Sequence, residues 1–589
     1  MTLDPEPNKG DRWFMDSESD GNRRRNTIAN EEGLAALGDE IRRTTAPGGR
    51  RKEKSTRRRQ IKRILVVCLV ALLVIVGAGA GYAYYLTRGF HRVQVRGLSH
   101  AFTTGREEGT ENVLMVGSTD RCALTVQNPA YGLCSQGIDG VNSDVIMILH
   151  ADPTTHHLAL LSIPRDLFIP NARTSGPNKI DAGLVQGLSQ LTAAIEEDFG
   201  IPIQHAVSLN FDQFANIVQA LGGINMHFPI SVFDWGPTGG GVNGNLPVSS
   251  GLNERAAACV HLDGTQALQV VRARHLRYQT PGANPDYPYS WQPEAESDLA
   301  RIRRDHEFLR VLATAVAKQG LGNPIADINL INSVKSDLTF DQTWPVTDMA
   351  NLVLDFHSVS VNSVPQLTLP VSVVIDPDGA GGSLMYQGYR YGDVEFPAQS
   401  QDQAAIDEVL GVGPSTDTMT GLPLPIPSSV TVSVMNGTGA YNQGSDTAAS
   451  LGALGFRTVG VGDTTPVGDL AETYVYYGSR NSITEAAAEA VSRSMTGSVI
   501  MAYDPSQVAD GAEVTVVTGT QFAVNAPPSS PTGSTAATPS TSTSTPITST
   551  PSTSGAIASP NPTTSTLAPW DPRACNAGAV STTPIPNPT

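Results

Sequence analysis

Apolar residues follow two rhythms along the middle of this chain. Asn112–Ser118, Val145–His150, Leu158–Ile163, Ala206–Phe211 and Ile224–Phe233 are short apolar runs that predict strands. Between them, Ala182–Phe199 carries Leu184, Leu188, Leu191 and Ile195 at helical spacing and stops at Gly200 and Pro202. Asp212–Leu221 predicts a second helix, closed by Gly222 and Gly223. Ser297–Asp298 caps a third, running to about Gln319. Its Leu299, Ile302, Leu309 and Val316 face the core, while Arg301, Arg304 and Asp305 share another side, Arg301 and Asp305 as a surface pair. Strands alternating with helices predict an α/β fold, a three-layer α-β-α domain. Its sheet is mixed, because the turn Asp152–Thr155 is too short for a parallel crossover between Val145–His150 and Leu158–Ile163.

The pattern changes at both ends. Ile64–Leu86 has no charged residue and follows a basic run from Arg50 to Arg63. Its 23 residues would span about 34 Å as a helix, enough for a bilayer core. The basic flank predicts a single-pass protein of the cell membrane, N-terminus cytoplasmic and the rest extracellular. The expected order is a disordered cytoplasmic tail (1–63), a transmembrane helix (64–86), a stalk (87–111), the main domain (112–410) and a linker (411–428). A small C-terminal α/β domain (429–519) and a disordered tail rich in Pro, Ser and Thr (520–589) complete it. Within that tail, Trp570–Asn576 is the one distinctive patch.

Charge sharpens this layout. Residues 1–63 carry a balance of +5 in a chain of net charge −17, leaving −22 on the remainder. So acidic a remainder excludes general nucleic-acid binding, which needs basic surface. Of the five cysteines, Cys68 lies in the predicted membrane helix. Cys122 and Cys134 bracket a short loop and are the favoured disulfide, contributing roughly 2–3 kcal/mol. Cys259 and Cys575 remain as a second pair, with free thiols or metal ligands as alternatives.

The candidate chemistry lies in Ser162–Asp181, where Arg165, Asp166, Arg173 and Lys179 share one Pro-rich strand-to-helix connection. Arginine's planar fork matches phosphate oxygens, so an anionic ligand is expected. Arg272 and Arg274 would point to one face if Val271–His275 is extended, and Arg301 and Arg304 add two more cations. Asp120 and Asp144 follow or begin predicted strands and offer hard oxygens, which suit magnesium bridging a phosphate. No Ser-His-Asp or Cys-His arrangement stands out. The set suits phosphoryl transfer, in which positioning and charge neutralisation supply most of the catalysis. Tyr287, Tyr289 and Trp291 sit in a loop where they serve either a sugar- or lipid-binding groove or simple packing.

The order of several motifs resembles the LytR-CpsA-Psr family. They are N-S-D-V-I-M (142–147), S-I-P-R-D-L (162–167), N-K-I-D-A (178–182), L-N-F-D-Q-F (209–214), L-G-G-I (221–224), L-D-G-T-Q-A-L (262–268), R-A-R (272–274) and D-L-A-R-I-R-R (298–304). The layout is similar to the CpsA-like actinobacterial branch with a LytR C-terminal domain. The resemblance implies a membrane-anchored phosphotransferase, with a pyrophosphatase side activity, dependent on Mg²⁺ or Mn²⁺. It would move a glycopolymer, arabinogalactan in actinobacteria, from a polyprenyl-pyrophosphate carrier to peptidoglycan. A polyprenyl- or wall-polymer-binding scaffold is the alternative. By motif position, Asp144 and Asp120 would hold the metal. Arg165, Lys179, Arg272 and Arg274 would grip the pyrophosphate, with Arg301 and Arg304 near it. Asp144, Arg165 and Asp166 would be catalytic, with Asp144 and Asp166 the candidate bases. The sequence departs from the family pattern at Asn142, where many members have Arg, and at Asp305, where many have Gln. It also runs Gly117-Ser118-Thr119-Asp120 where G-x-D is usual.

Overall fold

The computed structural model describes residues 91–99, 109–120, 122, 124, 134–136, 140–234, 250–295, 297–318, 338–373, 385–386, 389–391, 394–465, 468, 471–527 and 566–575. All belong to one unit, Leu86–Thr589. The predicted cytoplasmic tail and membrane span 64–86 lie outside the described residues. Among those described, no helix is long and apolar enough to cross a membrane.

The main domain is built on a seven-stranded sheet. Its centre is β2 (Glu111–Ser118), β3 (Ser143–Asp152) and β4 (His157–Ser162), each antiparallel to the next. β7 (His205–Leu209) joins β2 in parallel, Gln366–Thr368 joins β4 in parallel, and Thr339–Asp341 joins β7 antiparallel. Beyond Thr339–Asp341 the sheet ends at β1 (His91–Val93), in the segment read as stalk. Alternation along the strands gives each face its own core. Leu114, Val116, Ile146 and Ile148 pack with Leu191, Ala194 and Ile195 of helix α1 (Leu188–Phe199). Met115 and Met147 face the opposite way, toward α2 (Phe211–Ala220), α3 (Gly264–Arg272) and α4 (Ser297–Lys318). The mixed sheet and three layers are as expected.

Several elements differ from the sequence reading. The Pro-rich connection is a hairpin of β5 (Phe168–Arg173) and β6 (Gly176–Lys179). The predicted helix 182–199 is a 3₁₀ turn, Ile180–Gln186, followed by α1; Gly187, at φ 93°, breaks it. Ile224–Phe233 splits into β8 (Ile224–Phe228) and the strand Val232–Asp234.

The C-terminal domain has a five-stranded sheet in the order 457–463, 431–436, 514–518, 473–477, 499–503. Val475, Met501 and Val516 pack on its own helices, Gln443–Ala453 and Ser482–Ser492. Tyr474, Ile500 and Ala502 point the other way and share the core of α1. Asn171 and Tyr503 exchange two hydrogen bonds of 2.9 and 3.1 Å across this junction. Arg493 grips Asp407 with both terminal nitrogens, at 2.8 and 2.7 Å. The predicted C-terminal tail is also partly folded. Phe522–Val524 pairs with Met495–Gly497, and Arg573–Ala574 pairs with β8. The favoured disulfide, Cys122–Cys134, is present, and Cys259 is bonded to Cys575, the pairing that the sequence leaves open, with Cα atoms 5.1 and 5.5 Å apart.

Candidate functional site

Local sequence signals set the site's walls. Asn210 and Gln213 form a capping box at the start of α2, and Asp263 and Gln266 form another at α3. Each box satisfies two otherwise orphaned N–H groups, which explains the N-x-x-Q and D-x-x-Q spacing. Gly264 lets the two helices touch, since a Cβ there would lie 2.1 Å from the Ala215 carbonyl oxygen. β4 ends where the Ile163 N–H bonds the Ile146 carbonyl, releasing Arg165 and Asp166 beside Asp144. The N–H groups of Ile180 and Asp181 then bond the carbonyls of Leu167 and Arg165, which returns Lys179 to the same place.

The result is an interlocked ionic cluster. Arg165 pairs with Asp144, and its Nε lies 3.6 Å from both Asp166 and Asp298. Lys179 Nζ is 2.8 Å from Asp166, and Arg274 is 3.1 Å from both Asp166 and Asp298. Arg301 is 3.1 Å from Asp298 and donates to the Asp144 backbone carbonyl. Asp298 was read only as a helix cap. Its place at the head of D-L-A-R, three residues before Arg301, was the available signal. Burial would raise the Asp144 carboxyl, but Arg165, then Arg301, Arg272 and Arg274, outweigh it and hold it well below the usual range. Asp166 is likewise held down by Arg165, Arg274 and Lys179 against burial. Asp181 goes the other way, pushed up to about 6 by burial.

Beside the cluster opens a cavity of about 800 Å³ of empty space, its mouth included. Met115, Met147, Phe211, Phe214, Leu268 and Phe308 give it apolar walls, while Asp144, Arg272, Arg301 and Asp305 stand in the lining. The Arg272 guanidinium stacks 4.5 Å over the Phe211 ring.

Four predictions need correction. Val271–His275 is not extended: α3 runs to Arg272, and the chain turns at Ala273 before Arg274. Arg301 and Asp305 are no surface pair, being 2% and 4% exposed with Arg301 Nε 3.9 Å from the carboxyl. Arg304 does not join the cluster; it is buried against Glu294 and donates to the Ala273 carbonyl. Arg173 sits at the turn end of its hairpin, opposite Gly176, whereas Lys179 pairs with Phe168 at the other end. Of the loop aromatics, Trp291 is a buried packing residue, while Tyr287 and Tyr289 are exposed. Asp120 lies just beyond Ser118, which faces Ser143 across the β2–β3 pair, and its Oδ1 accepts the Cys122 N–H. It is therefore at the same sheet end as Asp144.

The LytR_cpsA_psr family model matches residues 91–402, more than half of the chain. The chain belongs to the LytR-CpsA-Psr family. A second model, described as "LytR cell envelope-related transcriptional attenuator", matches residues 429–522. The chain is 30% identical over 270 residues to the probable cell wall biosynthesis protein LcpB of Corynebacterium glutamicum, covering 45% of this chain and 56% of LcpB. It is 23% identical over 277 residues to TagU of Bacillus subtilis, named a polyisoprenyl-teichoic acid–peptidoglycan teichoic acid transferase, covering 46% and 77%. Among solved structures, it aligns with a LytR-Csp2A-Psr enzyme from Actinomyces oris at 22% identity and TM-score 0.37, covering 49% of this chain and 89% of that one.

The family's usual Gln is Asp305 here, and its surroundings change what an acid means. Burial pushes its carboxyl up to about 8, Arg301 and Arg304 offsetting only part. Neither oxygen has a hydrogen-bond partner among the described residues. Burial thus favours the protonated form of Asp305, in which the carboxyl both donates and accepts, as a glutamine would.

Proposed function

We propose that this protein is a membrane-anchored phosphotransferase of the cell envelope that moves a glycopolymer from a polyprenyl-pyrophosphate carrier to peptidoglycan. The observation that carries this reading is an apolar cavity bordered by four clustered cations, Arg165, Lys179, Arg274 and Arg301, with Arg272 in its wall. An isoprenoid tail suits the walls and a pyrophosphate the cations. The likeness to a corynebacterial cell-wall protein supports a role in wall assembly, and the family resemblance implies arabinogalactan as the polymer.

In this reading a peptidoglycan hydroxyl attacks the sugar-bound phosphorus. A new P–O bond forms, the bond to the bridging oxygen breaks, and polyprenyl phosphate leaves with that oxygen. Arg165, Arg274 and Lys179 hold the phosphates and take up the charge of the leaving group. Asp144 and Asp166, held ionised by their arginines, are weak bases that suit electrostatic positioning. The hydroxyl proton passes to one of these carboxylates or to water as the new P–O bond forms.

The donor set fits a hard divalent cation, Mg²⁺ or Mn²⁺, with Asp144 ionised and Asp120 at the same strand end. Among the described residues no group of three or more His, Cys, Asp or Glu could hold a metal, and Asp144 and Asp120 are the two that would hold one here. Such an ion would supply neutralisation of phosphate charge. A carrier-binding scaffold is the second reading, favoured by one observation: Arg165 is already paired with Asp144.

The test is to incubate the full chain with a polyprenyl-pyrophosphate oligosaccharide, with and without Mg²⁺, and to follow polyprenyl monophosphate by mass spectrometry. Metal-dependent release, lost in Asp144→Ala and Arg165→Ala, is expected. Lipid bound without turnover would establish the scaffold.

A further inference from the structure

The segment 566–575 returns to the main domain and is built into it. Arg573 and Ala574 pair antiparallel with His227 and Met226 of β8, and Cys575 is bonded to Cys259. Trp570 stacks on Tyr278 with ring centroids 3.8 Å apart and donates from Nε1 to Glu294 at 2.8 Å. The Ala574 N–H donates to Glu307 on α4 at 2.9 Å.

At the centre of this contact lies Asp571, with a side chain that has no exposed surface. Its Oδ2 accepts from Arg303 Nε at 2.6 Å, and its Oδ1 lies 3.5 Å from Arg304 Nη1. Glu294 faces the same two guanidiniums, 2.8 Å from Arg303. Two buried arginines thus share two buried carboxylates. Without Asp571 one positive charge would lack a partner in a low-dielectric site, where an unmatched charge is most costly.

The network reaches the cavity through one bond. Arg304 Nη2 donates to the Ala273 carbonyl at 2.6 Å. Ala273 is the turn residue between Arg272, in the cavity wall, and Arg274, in the ionic cluster. A tether would need only the disulfide and the strand pair. Here a carboxylate is also inserted 3.5 Å from Arg304, the side chain that holds this turn, and bonds Arg303, which shares Glu294 with it. We propose that residues 566–575 are part of the site's scaffold, with Asp571 a positioning residue that acts through Arg304 and the Ala273 carbonyl on Arg272 and Arg274. This rests on reading those two arginines as anion-binding. Displacements of an ångström suffice to weaken such a grip.

The test compares the full chain with its Asp571→Asn, Asp571→Glu and Cys575→Ser variants. Two measurements are made on each: calorimetric binding of inorganic pyrophosphate and amide hydrogen exchange at residues 272–276. Asp571→Asn should weaken pyrophosphate binding about tenfold and speed exchange at 272–276, with exchange in 429–519 unchanged. Asp571→Glu should recover most of both. Unchanged binding and exchange in Asp571→Asn would overturn the proposal and leave a simple tether. Should that variant not fold, Cys575→Ser decides. Faster exchange at 566–575 and 272–276 together supports the coupling, and protection at 272–276 whatever the segment does overturns it. If the unaltered chain binds no pyrophosphate, the functional reading fails, while exchange at 272–276 still decides the positioning role.

Discussion

Helix α4 carries two arginine–carboxylate clusters of like composition and opposite accessibility. In the first, Arg165, Lys179 and Arg274 keep 15%, 17% and 29% of their side-chain surface exposed, above the buried α4 members Arg301 and Asp298 at 3% and 6%. In the second, Arg303, Arg304, Glu294 and Asp571 keep between 0% and 7%. The chemistry of the pairs is the same, so exposure separates their roles. A partly open cation can trade a carboxylate for a phosphate, because water and ligand reach it. A sealed one cannot exchange partners without leaving a bare charge in the interior. Pair for pair, the open cluster is fitted for binding and the sealed one for holding α4 and the Ala273 turn in place.

Four substitutions test this contrast, from the largest effect down. Arg304→Ala should unfold the protein about 3–5 kcal/mol more easily, because it leaves Arg303 alone to face two buried carboxylates, Glu294 and Asp571; denaturant titration measures this. A loss below 1 kcal/mol would break the distinction. Arg165→Ala should lower transfer activity about 10²- to 10³-fold by removing a cation at the developing charge, read as initial rate of polyprenyl phosphate release.

Asp305→Asn sharpens the boundary between the two regions. Because its folded carboxyl lies near 8 rather than 3.8, the folded state holds a proton that the unfolded chain has released. Its contribution is therefore fully present below about pH 4 and is lost as pH rises toward 8, at most about 1.4 kcal/mol per pH unit. The variant should show a smaller loss of stability between pH 5 and pH 8 than the unaltered chain. Equal slopes would mean that Asp305 is ionised. Last, Arg255→Ala removes an ion pair with Asp286 in which both side chains are mostly exposed. Its cost should stay under about 0.5 kcal/mol, and a larger value would show that exposure alone does not rank these pairs.

The sequence made the strands around Asp144 and Arg165 legible because their apolar runs are buried and bounded by turn residues. It misread 271–275 because V-R-A-R-H alternates like a strand. The capping box of Asp263 and Gln266 starts a helix that carries through Arg272. Arg304 was grouped with the anion-binding residues by side-chain type, which carries no information about burial. Asp298 was visible as a helix-starting acid but not as the shared partner of Arg165, Arg274 and Arg301.

By itself, then, the sequence determined the α/β class with its mixed sheet, the family, and the cations and acids that gather beside the cavity. These follow from local periodicity and from motifs whose spacing is fixed by short-range geometry. Tertiary structure alone decided which arginines stay open and which are sealed, and that burial raises the Asp305 carboxyl. It also placed Asp571 against Arg303 across 268 residues of chain. Burial and partner identity arise from contacts between distant segments, and neither is written in the spacing of neighbours.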